Sequence, residues 1–543
     1  MQHNRAASTH TVAINIPADG LMLAISEGTS GDLSEESCAR AIESYIGRHL
    51  EAKPDILLLN VCYRRTVTPS EVFDSYLYDV ETDENGLAIR NESGETKKRL
   101  SPTGLGCSKY FDSFFTCARP LLERGIDAIA IAIKKIRETD CRVYLSLRMN
   151  DEHYTENAGV NASFAMKDGG IHTVGRNGQT LDFSQTAVQN HFLEYIDELL
   201  SRYDADGIEL DWLRFTVALP EEKRGDFGIL NDYMAKVRAL LDRHNEAADL
   251  AVRLLPREED NLKNGMDGAA WIGSGSADML TIENFYIPTN YEPPVREWRD
   301  SIERKNTSRH PYKLLCGSDW GVSCIPGHSL AISSALVRGF TAEALERGAD
   351  GVYLFNFFEQ NSTSSFELSE ENGRAVLENC FSRRMAAARD PYRLPRRHVH
   401  IGDSTRRYPI HLSSGAEYTF LYTKKSASES GKIIVGIDTD TPVFASINGV
   451  LDNICLQNEQ APQGFEYIPK EKPNSNDFVY SPSQIAPFIR SAAFSIPCES
   501  EKTLSFTLRN ASVEAINILW LEIETTESKP PAELVVCGSP SRA

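Results

Sequence analysis

The strongest constraint on the fold is an alternation. Short apolar, β-rich runs recur over the first 360 residues, and helical patterns lie between most of them. The runs are "TVAINI" or "LMLAIS" near the start, then "DILLLNVCYRR", "RVYLSLRMNDEH", "DGIELDWLRF", "LAVRLLPRE", "MLTIENFY", "KLLCGSDW" and "GVYLFNFFEQ". Residues 119–139, 186–202, 228–245 and 329–347 carry apolar side chains at helical spacing. With one strand taken at the N-terminus, eight strand–helix units end near Gln360. That number predicts an α/β chain built as a (β/α)8 barrel, since a doubly wound open sheet usually needs fewer strands. Strands are expected at 143–148, 206–211, 250–255, 279–284, 313–318 and 351–356, all parallel in one closed sheet.

The chain has 543 residues, too many for one ordinary core. The pattern changes after "ARDPYRLPRRHVH", where Pro391 and Pro395 read as a linker. Short alternating runs such as "EYTFLYT", "KIIVGID" and "LSFTLRN" then dominate. The expected organisation is a barrel over 1–392 and a β-sandwich accessory domain over 398–543. The longest interruption, about 66–118, follows the second strand. Its Asn-Gly and Ser-Gly signals predict a hairpin, and its position predicts that it overhangs the barrel mouth. No internal repeat is evident.

Bulk properties narrow the partners. Net charge is −20, so a nucleic-acid or anionic-membrane surface would be a local exception, and neither partner is expected. No apolar run approaches the roughly 20 residues a membrane span needs. The N-terminus shows no basic region followed by an apolar one, which suggests a cytoplasmic chain or one lacking its signal. The 11 cysteines form no C-x-x-C pair and read as reduced thiols. No phosphate-binding loop and no H-E-x-x-H occurs, so no cofactor and no metal are expected.

"YDADGIELDWLRF" (203–215) is a core strand burdened with charge. Alternation turns Ile208, Leu210 and Trp212 towards the helices, and Glu209 and Asp211 into the barrel, with Asp211 at the C-terminal rim. Active sites of such barrels lie at that rim. The same test places Arg148 and Asn150 inward on the third strand, followed by Asp151 and His153. It places Arg253 inward on the fifth and Glu283 near the end of the sixth, followed by Tyr286. Asp319 and Trp320 end the seventh, and Asn356 and Glu359 the eighth. The bland alternative is that Glu209 and Asp211 merely pair with Arg148 and Arg253 as a structural ion network. Carboxylates at the ends of strands four, six and seven, with aromatics beside them, suit glycoside hydrolysis instead. One carboxyl group protonates the leaving oxygen and the other attacks or activates water. Trp212, Tyr286, Trp320 and Phe358 are candidates for stacking on sugar rings.

"LDFSQTAVQNHFLEYIDELLSRYDADGIELDWLRF" (181–215) resembles a segment of bacterial glycosyl-hydrolase-like barrel proteins, the glycosyl-hydrolase-like family 10 type, matching at Leu181, Asp182, Asp206, Gly207, Asp211 and Arg214 among others. "LSLRMNDEH" and "GADGVYLFNFFEQ" look like segments of that group too. The resemblance implies a carbohydrate-active barrel and leaves the substrate open. The fourth strand is also similar to that of family 18 chitinases. Leu213, however, occupies the place of their catalytic acid, so the substrate-assisted mechanism is not implied.

The expected function is therefore a glycoside hydrolase acting on an oligo- or polysaccharide. Asp211 is the nucleophile or principal anionic carboxylate, Glu283 the general acid/base and Asp319 its alternative. Arg148, Asn150, Asp151, His153, Glu209, Arg214, Arg253, Tyr286, Trp320, Asn356 and Glu359 are the expected substrate-binding residues. A barrel that binds glycans without cleaving them is the competing reading, and a barrel lyase or isomerase is another.

Overall fold

The computed structural model describes residues 10–101, 114–355 apart from short stretches (154, 156, 168–170, 176–178, 214, 285–288, 307–308, 320 and 326–327), 381–400, and the strands and turns within 409–527. The chain divides into two compact units, Met1–Ser323 with Ser329–Pro391, and Cys324–His328 with Tyr392–Ala543.

The first unit holds a closed barrel of eight parallel strands. They are β1 (Thr11–Ile16), β2 (Ile56–Cys62), β3 (Arg142–Arg148), β4 (Gly207–Asp211), β5 (Asp249–Leu254), β6 (Met279–Ile282), β7 (Lys313–Ser318) and β8 (Gly351–Leu354). Each pairs with its neighbours in chain order, and β8 closes on β1 through Thr11↔Gly351. The ambiguity at the N-terminus resolves towards "TVAINI". "LMLAIS" lies in the helix Ala18–Thr29. The pattern at 119–139 is interrupted. Gly125 takes φ +71° and separates Arg119–Glu123 from Ala128–Ile136, whose N-cap Asp127 accepts from Ala130 N–H.

A fourfold repeat that the sequence pattern did not reveal closes the N-terminal end of the barrel. Asp55, Asp206, Asp278 and Asp350 each stand one residue before an even-numbered strand. Their carboxylates accept from the backbone N–H of Val12, Val143, Leu250 and Leu314, at 2.7, 2.8, 2.6 and 2.7 Å. Each acceptor's own N–H donates back to the carbonyl of the same residue. Arg389, Arg137, Arg238 and Arg299 pair with the four carboxylates. Every odd strand is thus pinned at its second residue, which fixes the register that decides which side chains face inward.

Inside the barrel, Ala13, Ile56, Leu58, Tyr144, Ala251, Met279, Leu315 and Tyr353 form one buried apolar cluster. Further up the strands the inward residues are polar and equally buried: Asn15, Asn60, Ser146, Glu209 and Thr281, then Asp211, Arg253 and Glu283. The barrel is packed below and charged above.

The segment after β2 forms the expected hairpin. Tyr78–Val80 pairs antiparallel with Lys98–Leu100, and turns at Gly86 and Gly94 take φ +80° and +83°. Its described part packs on the helix Thr186–Arg202 and on the loop after β3, where Ser163 Oγ donates to the Val80 carbonyl at 3.0 Å and Lys167 Nζ to that of Thr82 at 2.9 Å. Thr66 Oγ1 bonds the Tyr195 hydroxyl at 2.7 Å, and Glu71 and Ala88 N–H donate to Glu198 and Glu194, all on the helix Thr186–Arg202. Within the segment, Arg65 is buried and bonds Asp79 and the Ser75 carbonyl. That network gives the loop a small core of its own.

The second unit is antiparallel. One sheet runs Arg396–Val399, Ile516–Glu527, Glu429–Ile437, Phe488–Phe494, Gln457–Asn458. Another runs Glu417–Thr423, Thr503–Asn510, Val443–Ile447, Val450–Cys455. Leu504, Phe506 and Leu508 alternate with more exposed residues, and Phe420 stacks on Phe506 at 5.3 Å. The five described cysteines in the first unit, Cys38, Cys62, Cys117, Cys141 and Cys316, are all free and buried.

Candidate active site

The upper ends of β4 to β7 gather the charges. Arg253, inward on β5, lies between its neighbours' carboxylates. Its Nη1 donates to Asp211 Oδ2 at 2.8 Å, and its Nε to Glu283 Oε2 at 2.9 Å. Phe355 lies 3.6 Å from the guanidinium and blocks its other face. One cation so serves two carboxylates, and Asp319 adds a third negative group beside Glu283.

The two carboxylates are not equivalent. Both Asp211 oxygens are engaged, Oδ1 by the Leu213 N–H at 3.1 Å and Oδ2 by Arg253. Glu283 Oε1 is buried and accepts nothing among the described residues. Burial pushes the Glu283 carboxyl up to about 8. Arg253 opposes that rise, while Asp319 and Asp211 add to it. Arg253 therefore does not hold Glu283 ionised, because desolvation outweighs the single guanidinium. Gly317 on β7 leaves the room Glu283 needs, since a Cβ there would sit 2.6 Å from the Glu283 Cβ.

Glu209 sits below this cluster and does not reach Asp211 by a hydrogen bond. Ser146 Oγ donates to its Oε1 at 2.7 Å and Tyr353 Oη at 3.0 Å. Burial, and then the charge of Asp211, raise its carboxyl to about 7. Trp212 is fully buried against Phe183, Tyr233 and Trp271, so it is a packing residue and not a sugar platform.

A second constellation occupies the ends of β1 to β3. Arg148 lies over the Tyr63 ring at 3.9 Å, and Tyr63 Oη donates to Asp19 Oδ1 at 2.7 Å. Arg148 Nη1 bonds Asp151 at 3.2 Å, so it serves Asp151 rather than the β4 carboxylates. Asp151 Oδ1 bonds His153 Nδ1 at 2.7 Å and its backbone N–H at 2.8 Å. Burial opposes ionisation of Asp151, but His153 and Arg148 outweigh it and hold the carboxyl well below the usual range. Asn150 is anchored to the Val217 carbonyl. A cavity of about 20 Å³, room for one water, lies beside Arg148 and Asp151 and is closed by Tyr63, Phe73, Phe164 and His191.

Of the expected site residues, Asp211, Glu283, Asp319 and Arg253 come together, and Arg148, Asn150, Asp151 and His153 form the second group. Arg214, Tyr286, Trp320, Asn356, Phe358 and Glu359 lie outside the described residues. Sequence reasoning missed Asp19, Tyr63, Tyr353 and Gly317. Tyr63 and Tyr353 were accessible to it, since both stand on the inward phase or at the end of recognised strands.

No family model matches the chain, and no curated protein matches it. Among solved structures it is similar to a Paenibacillus sp. cycloisomaltooligosaccharide glucanotransferase, at 9% identity over 95% of this chain and 58% of that one, TM-score 0.32. It is also similar to alpha-L-fucosidase isoenzyme 2 from Paenibacillus thiaminolyticus, at 10% identity over 70% and 49%, TM-score 0.37. A third is the alpha-L-fucosidase from Vibrio sp. strain EJY3, at 9% identity over 95% and 96%, TM-score 0.38. The chain thus spans little more than half the length of the first and about half that of the second. At such scores and identities these likenesses say nothing about the reaction of this chain, which rests on its own geometry.

Proposed function

We propose that the barrel hydrolyses a glycosidic bond in an oligo- or polysaccharide. The observation that carries this reading is the Asp211–Arg253–Glu283 bridge, in which burial raises the Glu283 carboxyl to about 8 while both Asp211 oxygens accept hydrogen bonds. A carboxyl group kept protonated beside a second, hydrogen-bonded carboxyl group is what a proton donor and its partner need. Glu283, protonated at neutral pH by burial, is the proton donor to the leaving oxygen. Asp211, fixed by Arg253 and the Leu213 N–H, is the principal anion and faces the positive charge that develops at the anomeric carbon. Asp319 adds to the rise that burial gives Glu283. Arg148, Asn150, Asp151 and His153 border the sugar on the β3 side.

Screening aryl glycosides and natural glycans with the wild type, Asp211→Asn and Glu283→Gln tests the reading. Turnover by the wild type, lost in both folded variants, supports it. Glycan binding without turnover would instead make the protein a non-catalytic sugar-binding barrel.

A further inference from the structure

Hydrolysis with Glu283 as acid needs either a carboxylate that attacks the anomeric carbon or, for direct displacement, a separate group that activates water, and Asp211 is poorly placed for the second task. Each of its oxygens already accepts a hydrogen bond. Across the mouth, β3 ends in a different device. Asp151 is buried and its Oδ1 takes two bonds from His153, one from the ring and one from the backbone. Arg148 braces the other carboxylate oxygen at 3.2 Å and is itself held flat on Tyr63. The Arg64 guanidinium bonds the Asp151 carbonyl, which fixes the loop from a third side. The imidazole is one-third exposed, against 1% for the Asp151 side chain, and Phe215 meets its ring edge-on at 5.1 Å. A buried anion thus orients a partly exposed imidazole, and a proton held on Nδ1 makes Nε2 the basic nitrogen.

We propose that His153 is the general base of the hydrolysis, with Asp151 as its positioning residue, so that the reaction inverts the anomeric centre. This assignment rests on the glycosidase reading above. Water gives one proton to His153 Nε2 while its oxygen bonds to the anomeric carbon. The bond from that carbon to the leaving oxygen breaks, and the oxygen takes the proton of Glu283. The imidazolium then returns its proton through solvent to the Glu283 carboxylate, which restores both groups. The charged groups facing the ring and its loop are Asp151, Arg148 and Arg64.

Three measurements on the full chain decide the assignment. Nitrogen-15 NMR of the unliganded protein should show the Nδ1–H tautomer at His153, an observation independent of activity. An Nε2–H tautomer overturns the assignment. NMR of the first-formed sugar should show the inverted anomer, and retention overturns it. His153→Ala should lower turnover about 10²–10⁴-fold. Added azide should restore rate by forming the inverted glycosyl azide, because azide needs no base. His153→Ala with near-normal turnover overturns the assignment. Asp151→Asn should lower kcat with little change in KM and move the acidic limb of the pH profile. An unmoved limb overturns its positioning role. A wild type inactive on every glycoside refutes the glycosidase reading, and the tautomer then decides separately whether the dyad exists.

Discussion

Glu283 occupies the space that Gly317 leaves on the neighbouring strand. A methyl group at 317 would meet the Glu283 Cβ at 2.6 Å and collide with its carboxyl. The acid candidate is therefore positioned by the absence of a side chain as much as by Arg253. Gly317→Ala should leave the barrel folded and still push Glu283 off its guanidinium. Turnover should fall at least tenfold, with a melting temperature within a few degrees of the wild type. Unchanged turnover would show that the fit of Glu283 against β7 is irrelevant to rate.

The raised Glu283 carboxyl makes a pH prediction with a definite sign. Its folded pKa, about 8, lies above the ordinary 4.5. The folded state therefore binds the extra proton, and the stability it brings is complete below about pH 4.5 and lost as pH rises through about 8. The loss approaches about 1.4 kcal/mol per pH unit across that window. Glu283→Gln cannot ionise, so its melting temperature should match the wild type near pH 4.5 and exceed it near pH 8. The opposite order at pH 8 would mean that the Arg253 pair dominates.

Acid acts through His191 in the opposite sense. Its ring stacks on Phe164 at 4.2 Å and lies 4.9 Å from Phe73, and burial lowers its pKa to about 3. A depressed imidazole pKa gives stability that is complete above about pH 6.5 and lost as pH falls towards 3. His49, lowered to about 4, adds to the same loss. His191→Phe should flatten the fall of melting temperature between pH 6.5 and 4. A slope equal to that of the wild type would place the acid sensitivity elsewhere.

The Asp–Arg belt carries stability and no chemistry. Asp278→Ala strands the Leu250 N–H and leaves Arg238 without one of its two partners. Chemical denaturation should show a loss of about 1–3 kcal/mol, with turnover per folded molecule unchanged. Asp206→Ala should behave alike at Val143. A large rate loss in either would connect the belt to the site.

The barrel was legible because burial on both sides of a parallel strand demands continuous apolar runs, and connecting helices impose their own period. Alternation also identified the inward phase of β4, hence Glu209 and Asp211. It could not tell depth. Glu209 is only two residues below Asp211, yet it bonds Tyr353 across the barrel and stays out of the rim. Pairing of charges was equally illegible. Arg148 turns to Asp151, three residues on, with its guanidinium over the Tyr63 ring. The Asp repeat escaped notice because its members are single residues separated by variable helices and loops. The loop after β2 was read as a hairpin from its turn residues, but its docking on Tyr195, Glu194 and Glu198 is a tertiary choice that no local signal encodes.

The central claim is that Glu283 donates the proton to the departing oxygen. The most direct measurement compares Glu283→Gln with the wild type on two aryl glycosides of one sugar, with a poor and a highly activated leaving group. Bond cleavage with the activated group needs no proton. The account predicts a loss of about 10²–10⁴-fold on the poor leaving group, near-wild-type cleavage of the activated one, and a fold intact by melting temperature. Equal losses on both substrates, or full turnover on the poor one, would contradict it.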